Sequence, residues 1–202
     1  MKAAASRQTN LNCLSWHERT SNFSESPRNN GVAVMTESDN KRRIIHVGIA
    51  EMAIVRAPEI VKTTGLGSCV AVILFDRNCG LAGLAHIMLP DSKMARSGRV
   101  NSAKYADTAI KELIAQLTSK GARMQHFQAK IAGGAQMFKL PEQENLLKIG
   151  QKNIDAVRNH LSLFNIPIVA EDVGGKSSRS VEFDTQSMVL TVKTVQKGIK
   201  KL

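Results

Sequence analysis

The chain is poor in aromatic rings. Phe, Trp and Tyr supply 4% of its 202 residues, which argues against a base-stacking platform for single-stranded nucleic acid. Its three cysteines, Cys13, Cys69 and Cys79, form no CxxC pair. They therefore make neither a zinc ribbon nor a disulfide framework, and they fit a reducing cytosol. His46, His126 and His160 have no metal-ligand spacing either. No window approaches the roughly 18 apolar residues that a membrane span needs. The small, mildly basic start Met1–Ser6 is not followed by the apolar core of a signal peptide. Gly133-Gly134 and Gly174-Gly175 lack the Walker Lys-Ser/Thr arrangement and the dinucleotide-binding spacing, so both read as turns. No internal repeat is present. The expectation is a cytoplasmic protein with no metal, no cofactor and no membrane insertion.

What is present is an ordinary globular composition, with 43% hydrophobic and 22% charged residues in 22.0 kDa. That length suits one domain with a core. The net charge is +11. Within residues 1–40 the bases Lys2, Arg7, Arg19 and Arg28 are cancelled by Glu18, Glu25, Glu37 and Asp39, so the excess sits in 41–202. Such concentration favours an acidic partner: nucleic acid, an anionic membrane face or an acidic protein. Residues 1–40 are rich in Ser, Asn, Thr and Arg without an apolar period and read as a disordered tail, with Trp16 its one potential anchor. Residues 41–202 form the domain.

Within the domain, 44–48 and 52–55 read as short strands before Pro58. The run Cys69–Phe75, the turn residues Asp76–Gly80 and the run Leu81–Leu89 read as a hairpin that is apolar on both faces, hence central and covered. A polar loop, 91–99, carries Lys93, Arg96 and Arg99. Helical spacing follows over 102–120 and again over 149–164, where Ile154, Val157, Leu161 and Phe164 face inward. Strands are expected at 128–132, 166–171, 180–183 and 188–195, then a basic tail at 197–201. The fold class is α+β: a single layered domain with helices packed on mostly antiparallel sheets.

The chemistry-bearing feature is Thr63-Thr64-Gly65-Leu66-Gly67-Ser68-Cys69, with His86 in the next apolar run. A four-residue loop 76–79 sets Cys69 directly opposite His86, and a two-residue loop keeps them on one face as diagonal neighbours. An odd loop separates them. On the residues alone, a buried core cysteine with a core histidine and a nucleophile with its base both stand. Gly65 and Gly67 favour the second, because they permit a tight bend that aims the Ser68 and Cys69 N–H groups at one point, as an oxyanion site requires. As a pair, His86 is expected to hold the Cys69 pKa below the free-thiol value of about 8.5.

The segments Thr63–Val72 and Gly83-Leu84-Ala85-His86-Ile87-Met88-Leu89-Pro90 resemble the CheD family, the chemoreceptor glutamine deamidases of bacterial chemotaxis. Further similar blocks follow in order: 104–110, Gly133-Gly134-Ala135-Gln136-Met137-Phe138, Ile149-Gly150-Gln151-Lys152-Asn153 and Asp172-Val173-Gly174-Gly175. The resemblance spans about 44–195. It implies a catalytic cysteine at Cys69, its histidine at His86 and an orienting threonine at Thr63. It implies sheets in layers with helices outside, and hydrolysis of receptor glutamine side chains to glutamate without a cofactor. The implied partners are chemoreceptor cytoplasmic domains and a CheC-type phosphatase; nucleic acid is not expected. A docking module for that phosphatase, with little turnover, is the alternative function. One block departs: Ser178 precedes Arg179 where the family usually has glycine.

Overall fold

The computed structural model describes residues 42–95, 100–137, 148–195 and 197–202. The segment 1–40 with Trp16, and Arg96, Arg99 and Phe138, lie outside the described residues. Strands β1 (Ile44–His46), β2 (Met52–Arg56), β3 (Ile60–Leu66), β4 (Val70–Asp76) and β5 (Leu81–Ile87) come first. Helix α1 (Ala106–Ser119), β6 (Gln128–Gly133) and helix α2 (Ile149–Leu163) follow. The described chain closes with β7 (Ile168–Val173), β8 (Arg179–Asp184), β9 (Val189–Thr194) and β10 (Gly198–Lys201).

The strands form two five-stranded sheets, ordered β1-β3-β8-β9-β10 and β2-β5-β4-β6-β7. The pairs β1–β3 and β6–β7 are parallel; the other pairings are antiparallel. Both helices pack on the second sheet. Every residue of β4 and β5 is buried, and the pleat explains it. Val70, Val72 and Leu74 face the helices. Ala71, Ile73 and Phe75 alternate with them and face the first sheet. A strand covered on both faces loses the polar alternation of a half-exposed one, which is why these two segments read as unbroken apolar runs.

The helices follow their apolar stripes. Ala106, Ala109, Ile110, Leu113 and Leu117 of α1, and Gly150, Asn153, Ile154, Val157 and Leu161 of α2, are the buried positions. Gly83 in β5 admits α1 closely: a Cβ there would stand 2.8 Å from Leu113 Cδ2 and 2.7 Å from Ile54 Cδ1. Among the described residues no helix is long and apolar enough to cross a membrane.

Three features depart from the sequence reading. The segment 60–66, read in part as a glycine-rich bend, is strand β3; Gly65 (φ +74°) sits in an irregularity where the pairing with β8 shifts between Thr63 and Leu66. The basic tail forms β10, an edge strand paired on β9, where lysines are a common feature because they discourage further pairing. The hairpin loop is 77–80 rather than 76–79, since Asp76 still pairs with Leu81. Asp76 stays in the strand because its buried carboxylate accepts the N–H groups of Asn78 (2.9 Å) and Arg123 (3.0 Å).

Candidate active site

Strands β3 and β4 belong to different sheets, so Gly67-Ser68-Cys69 is the crossover between them. Cys69 therefore stands at the end of the sandwich. Its backbone continues the β4–β6 ladder, accepting from Gly134 N–H at 2.7 Å. Its side chain, half-buried, packs on the apolar cluster between the sheets, the same face as Ala71 and Ile73. His86 of β5 also points between the sheets and is fully buried.

The register sets their relation. Ala71 is directly opposite His86 and Val70 opposite Ile87. Cys69 lies two residues beyond Ala71 on the same face, so it is a diagonal neighbour of His86 and does not oppose it directly. The cause is Asp76, whose retention in β4 moves the pairing by two residues from the expected register. An even shift preserves the shared face.

Thr63 is inward-facing in β3 and buried. Its Oγ1 lies 2.7 Å from His86 Nδ1 and donates to the Val47 carbonyl at 2.7 Å. A hydroxyl has one proton to give and a carbonyl can only accept. With that proton on Val47 O, Thr63 Oγ1 must accept from Nδ1–H. The arrangement selects the tautomer whose Nε2 carries the free lone pair. That Nε2 is buried and has no hydrogen-bond partner among the described residues. The His86 backbone is held as well, with its N–H donating to Glu51 O and its carbonyl accepting from Ala50 N–H, both at 3.0 Å. Residues 47–51 thus lock both the main chain and, through Thr63, the ring.

The electrostatics correct one expectation. Burial pushes the Cys69 thiol above its ordinary pKa, partly offset by its own backbone N–H. Burial also pushes His86 below its ordinary value. Both shifts favour the uncharged forms, thiol and neutral imidazole. The diagonal placement fits this: no hydrogen bond joins Cys69 to Nε2 in this state.

The backbone behind Cys69 is pinned at three successive carbonyls. Gly67 O accepts from Ala135 N–H (2.7 Å), Ser68 O from Asn153 Nδ2 (2.9 Å) and Cys69 O from Gly134 N–H. Only glycine fits at 133: its φ is +113°, and a Cβ there would overlap the Cys69 carbonyl. Arg179, buried, holds this support from behind. It donates to Asp172 (Nε–Oδ1 2.6 Å), to Gly174 O (2.7 Å) and to Gly133 O (3.3 Å). Ser178 has no left-handed backbone, so serine costs no strain there.

Cys79 sits at the opposite end of β4, its thiol 3.9 Å from Asp76 O. Two residues were not singled out from the sequence, Asn153 and Arg179. Asn153 carried a signal, a polar residue beside Ile154 on the buried stripe of α2. Among the described residues no three His, Cys, Asp or Glu side chains gather as a metal site.

Comparison with known proteins gives concordant findings. A family model described as CheD chemotactic sensory transduction matches residues 88–194. Cys69, His86 and Thr63 precede that span. The chain is 48% identical over 161 residues to a chemoreceptor glutamine deamidase CheD of Bacillus licheniformis, covering 80% of this chain and 96% of the relative. It is 46% identical over 159 residues to the protein of the same name in Bacillus subtilis, covering 79% and 96%. With that of Halalkalibacterium halodurans the identity is 44% over 159 residues, covering 79% and 98%.

Proposed function

The chain belongs to the CheD family, and we propose that it hydrolyses glutamine side chains of chemoreceptors to glutamate, with Cys69 as nucleophile, His86 as base and acid, and Thr63 orienting His86. The observation that carries this is the Thr63–His86 hydrogen bond at 2.7 Å. It leaves Nε2 free on the inter-sheet face that Cys69 shares.

The chemistry starts from the uncharged pair. As the carboxamide enters, the Cys69 thiol passes its proton to His86 Nε2 and the sulfur attacks the amide carbon. The oxyanion is met by the N–H groups of Ser68 and Cys69, at the bend of Gly67 and Ser68 between β3 and β4. The imidazolium gives its proton to the amine, the carbon–nitrogen bond breaks, and ammonia leaves a thioester. Water then loses a proton to Nε2 and attacks. The carbon–sulfur bond breaks, the thiol is restored and glutamate is released. The diagonal spacing requires a rotation of the Cys69 side chain in the first step, consistent with catalytic hydrogen bonds that tighten only when substrate is bound.

The test is mass spectrometry of a chemoreceptor cytoplasmic fragment after incubation with the protein, with each converted glutamine located by its amide-to-acid mass change. Failure of the fragment to gain acid groups sinks the reading. The docking-module alternative expects phosphatase binding with no mass change. A chemoreceptor cytoplasmic domain as substrate goes with a reaction in the cytoplasm.

Titration gives a second check. Activity in kcat/KM needs His86 neutral and Cys69 protonated in the free enzyme. The acid limb follows His86, whose pKa burial lowers, so activity should persist below the ordinary histidine value of about 6.5. The alkaline limb follows Cys69, whose pKa burial raises, so it should fall only above the ordinary thiol range. The expected profile is a broad plateau through neutral pH. An acid limb above that histidine value would mean that burial does not lower the His86 pKa.

We further assign the whole activity to residues 41–202. Deleting 1–40 should leave the melting temperature unchanged and kcat/KM within about twofold, since the sequence of that segment carries neither an apolar period nor a motif. A large loss of either would give the tail a role.

A further inference from the structure

Asn153 is fully buried in α2, a helix with no other part in the chemistry. Its Nδ2 donates to Ser68 O at 2.9 Å and to Met88 O at 3.0 Å. One acceptor belongs to the crossover that carries Cys69. The other lies two residues past His86 at the end of β5. By the β4–β5 register, in which Val70 opposes Ile87, Met88 is the residue that would oppose Cys69. Ser68 O and Met88 O cannot bond to each other, so joining these two segments needs a donor from outside. A primary amide offers two N–H groups on one atom and joins them.

The consequence concerns the peptide between Ser68 and Cys69. In a trans peptide the C=O and the following N–H point in opposite directions across one rigid plane. Holding Ser68 O from the helix side therefore turns the Cys69 N–H away from the helix, to the side where its own sulfur lies. We infer that Asn153 is a positioning residue of the deamidation reaction: by bridging Ser68 O and Met88 O it aims the Cys69 N–H at the developing oxyanion and ties the nucleophile's crossover to the His86 strand. This rests on Cys69 being the nucleophile. The anchor for Asn153 is close packing of its helix: a Cβ at Gly150 would stand 2.6 Å from Gly134 O, so α2 starts directly on the segment that supports Cys69.

The experiment uses the full chain with Asn153→Ala, and with Asn153→Asp, which keeps the shape but loses the amide donors. Removing an oxyanion donor outright costs about 10²–10³ in kcat. Here the donor stays and loses its aim, so kcat on a receptor fragment should fall about 10–10²-fold with KM little changed. Iodoacetamide alkylation of Cys69 develops no oxyanion and should stay within about threefold of the parent, by the same reasoning. The amide nitrogen resonance of Cys69 should shift in both variants, because its peptide plane loses a hydrogen bond. Unchanged kcat in both variants, or an unmoved Cys69 resonance, overturns the proposal. So does a parallel loss of deamidation, alkylation and melting temperature, which marks a merely structural residue. If the parent itself converts no glutamine, the functional reading fails, while the resonance shift still decides whether Asn153 orients this peptide.

Discussion

Cys69→Ala should abolish deamidation, with kcat reduced about 10⁴-fold or more, because the proposed thioester forms on Cys69 and nucleophile deletions cost on this scale. The variant should fold: the side chain is small, only half-buried, and on the rim of its cluster. Cys79→Ala should leave turnover within about twofold, as expected of a site away from the chemistry. The two thiols are separated by the length of β4, seven residues at about 3.3 Å each, or roughly 20–25 Å. Cys79 also sits at the turn end of the hairpin, where His86 is out of reach. The measurement is the receptor-fragment mass spectrum for both variants beside the parent. Conversion that persists without Cys69 would transfer the chemistry to another residue.

The path from sequence to this site was legible where one physical signal dominated. Strands buried on both faces and helices with a single apolar stripe announced themselves, whereas the shared face of Cys69 and His86 hung on a loop length that the sequence left open. Register is harder, because it turns on one side chain. Asp76 has the composition of a loop residue, yet two backbone N–H groups satisfy its carboxylate inside the fold. One of them, from Arg123, comes from a distant segment that local reading cannot supply. The same reason hid β3. Gly65 signals a bend, and only pairing with β8 makes it an irregularity within a strand. Arg179 was visible only as the neighbour of Ser178; its partners Asp172, Gly133 and Gly174 converge through tertiary contacts. The charge state of the pair was the deeper miss. Proximity argues for an ion pair, but burial acts on both groups and opposes ionisation of either.

His86→Ala should lower kcat by about 10³-fold or more, since it removes the base for attack and the acid for departure, each worth about 10²–10⁴. Thr63→Val is the sharper experiment. Valine matches threonine in shape, so the core between the sheets stays filled, but the hydroxyl is gone. Val47 O then loses its donor and His86 Nδ1–H its acceptor. Nothing would hold the proton on Nδ1. Moving it to Nε2 blanks the lone pair that must take the thiol proton. Misassigning a catalytic tautomer costs about 10⁴ where a carboxylate does the orienting. Thr63 is neutral and adds little to imidazolium stability, so about 10²-fold in kcat is expected, with KM nearly unchanged. Thr63→Ser keeps the hydroxyl and should recover most of that loss, although burying a smaller side chain lowers stability somewhat. Nitrogen resonances of the His86 ring report the tautomer directly. The parent and Thr63→Ser should carry the proton on Nδ1, and Thr63→Val should show a mixture. If Thr63→Val turns over as fast as the parent with its proton still on Nδ1, the hydroxyl has no orienting role and the ring is held by its backbone bonds to Ala50 and Glu51 alone.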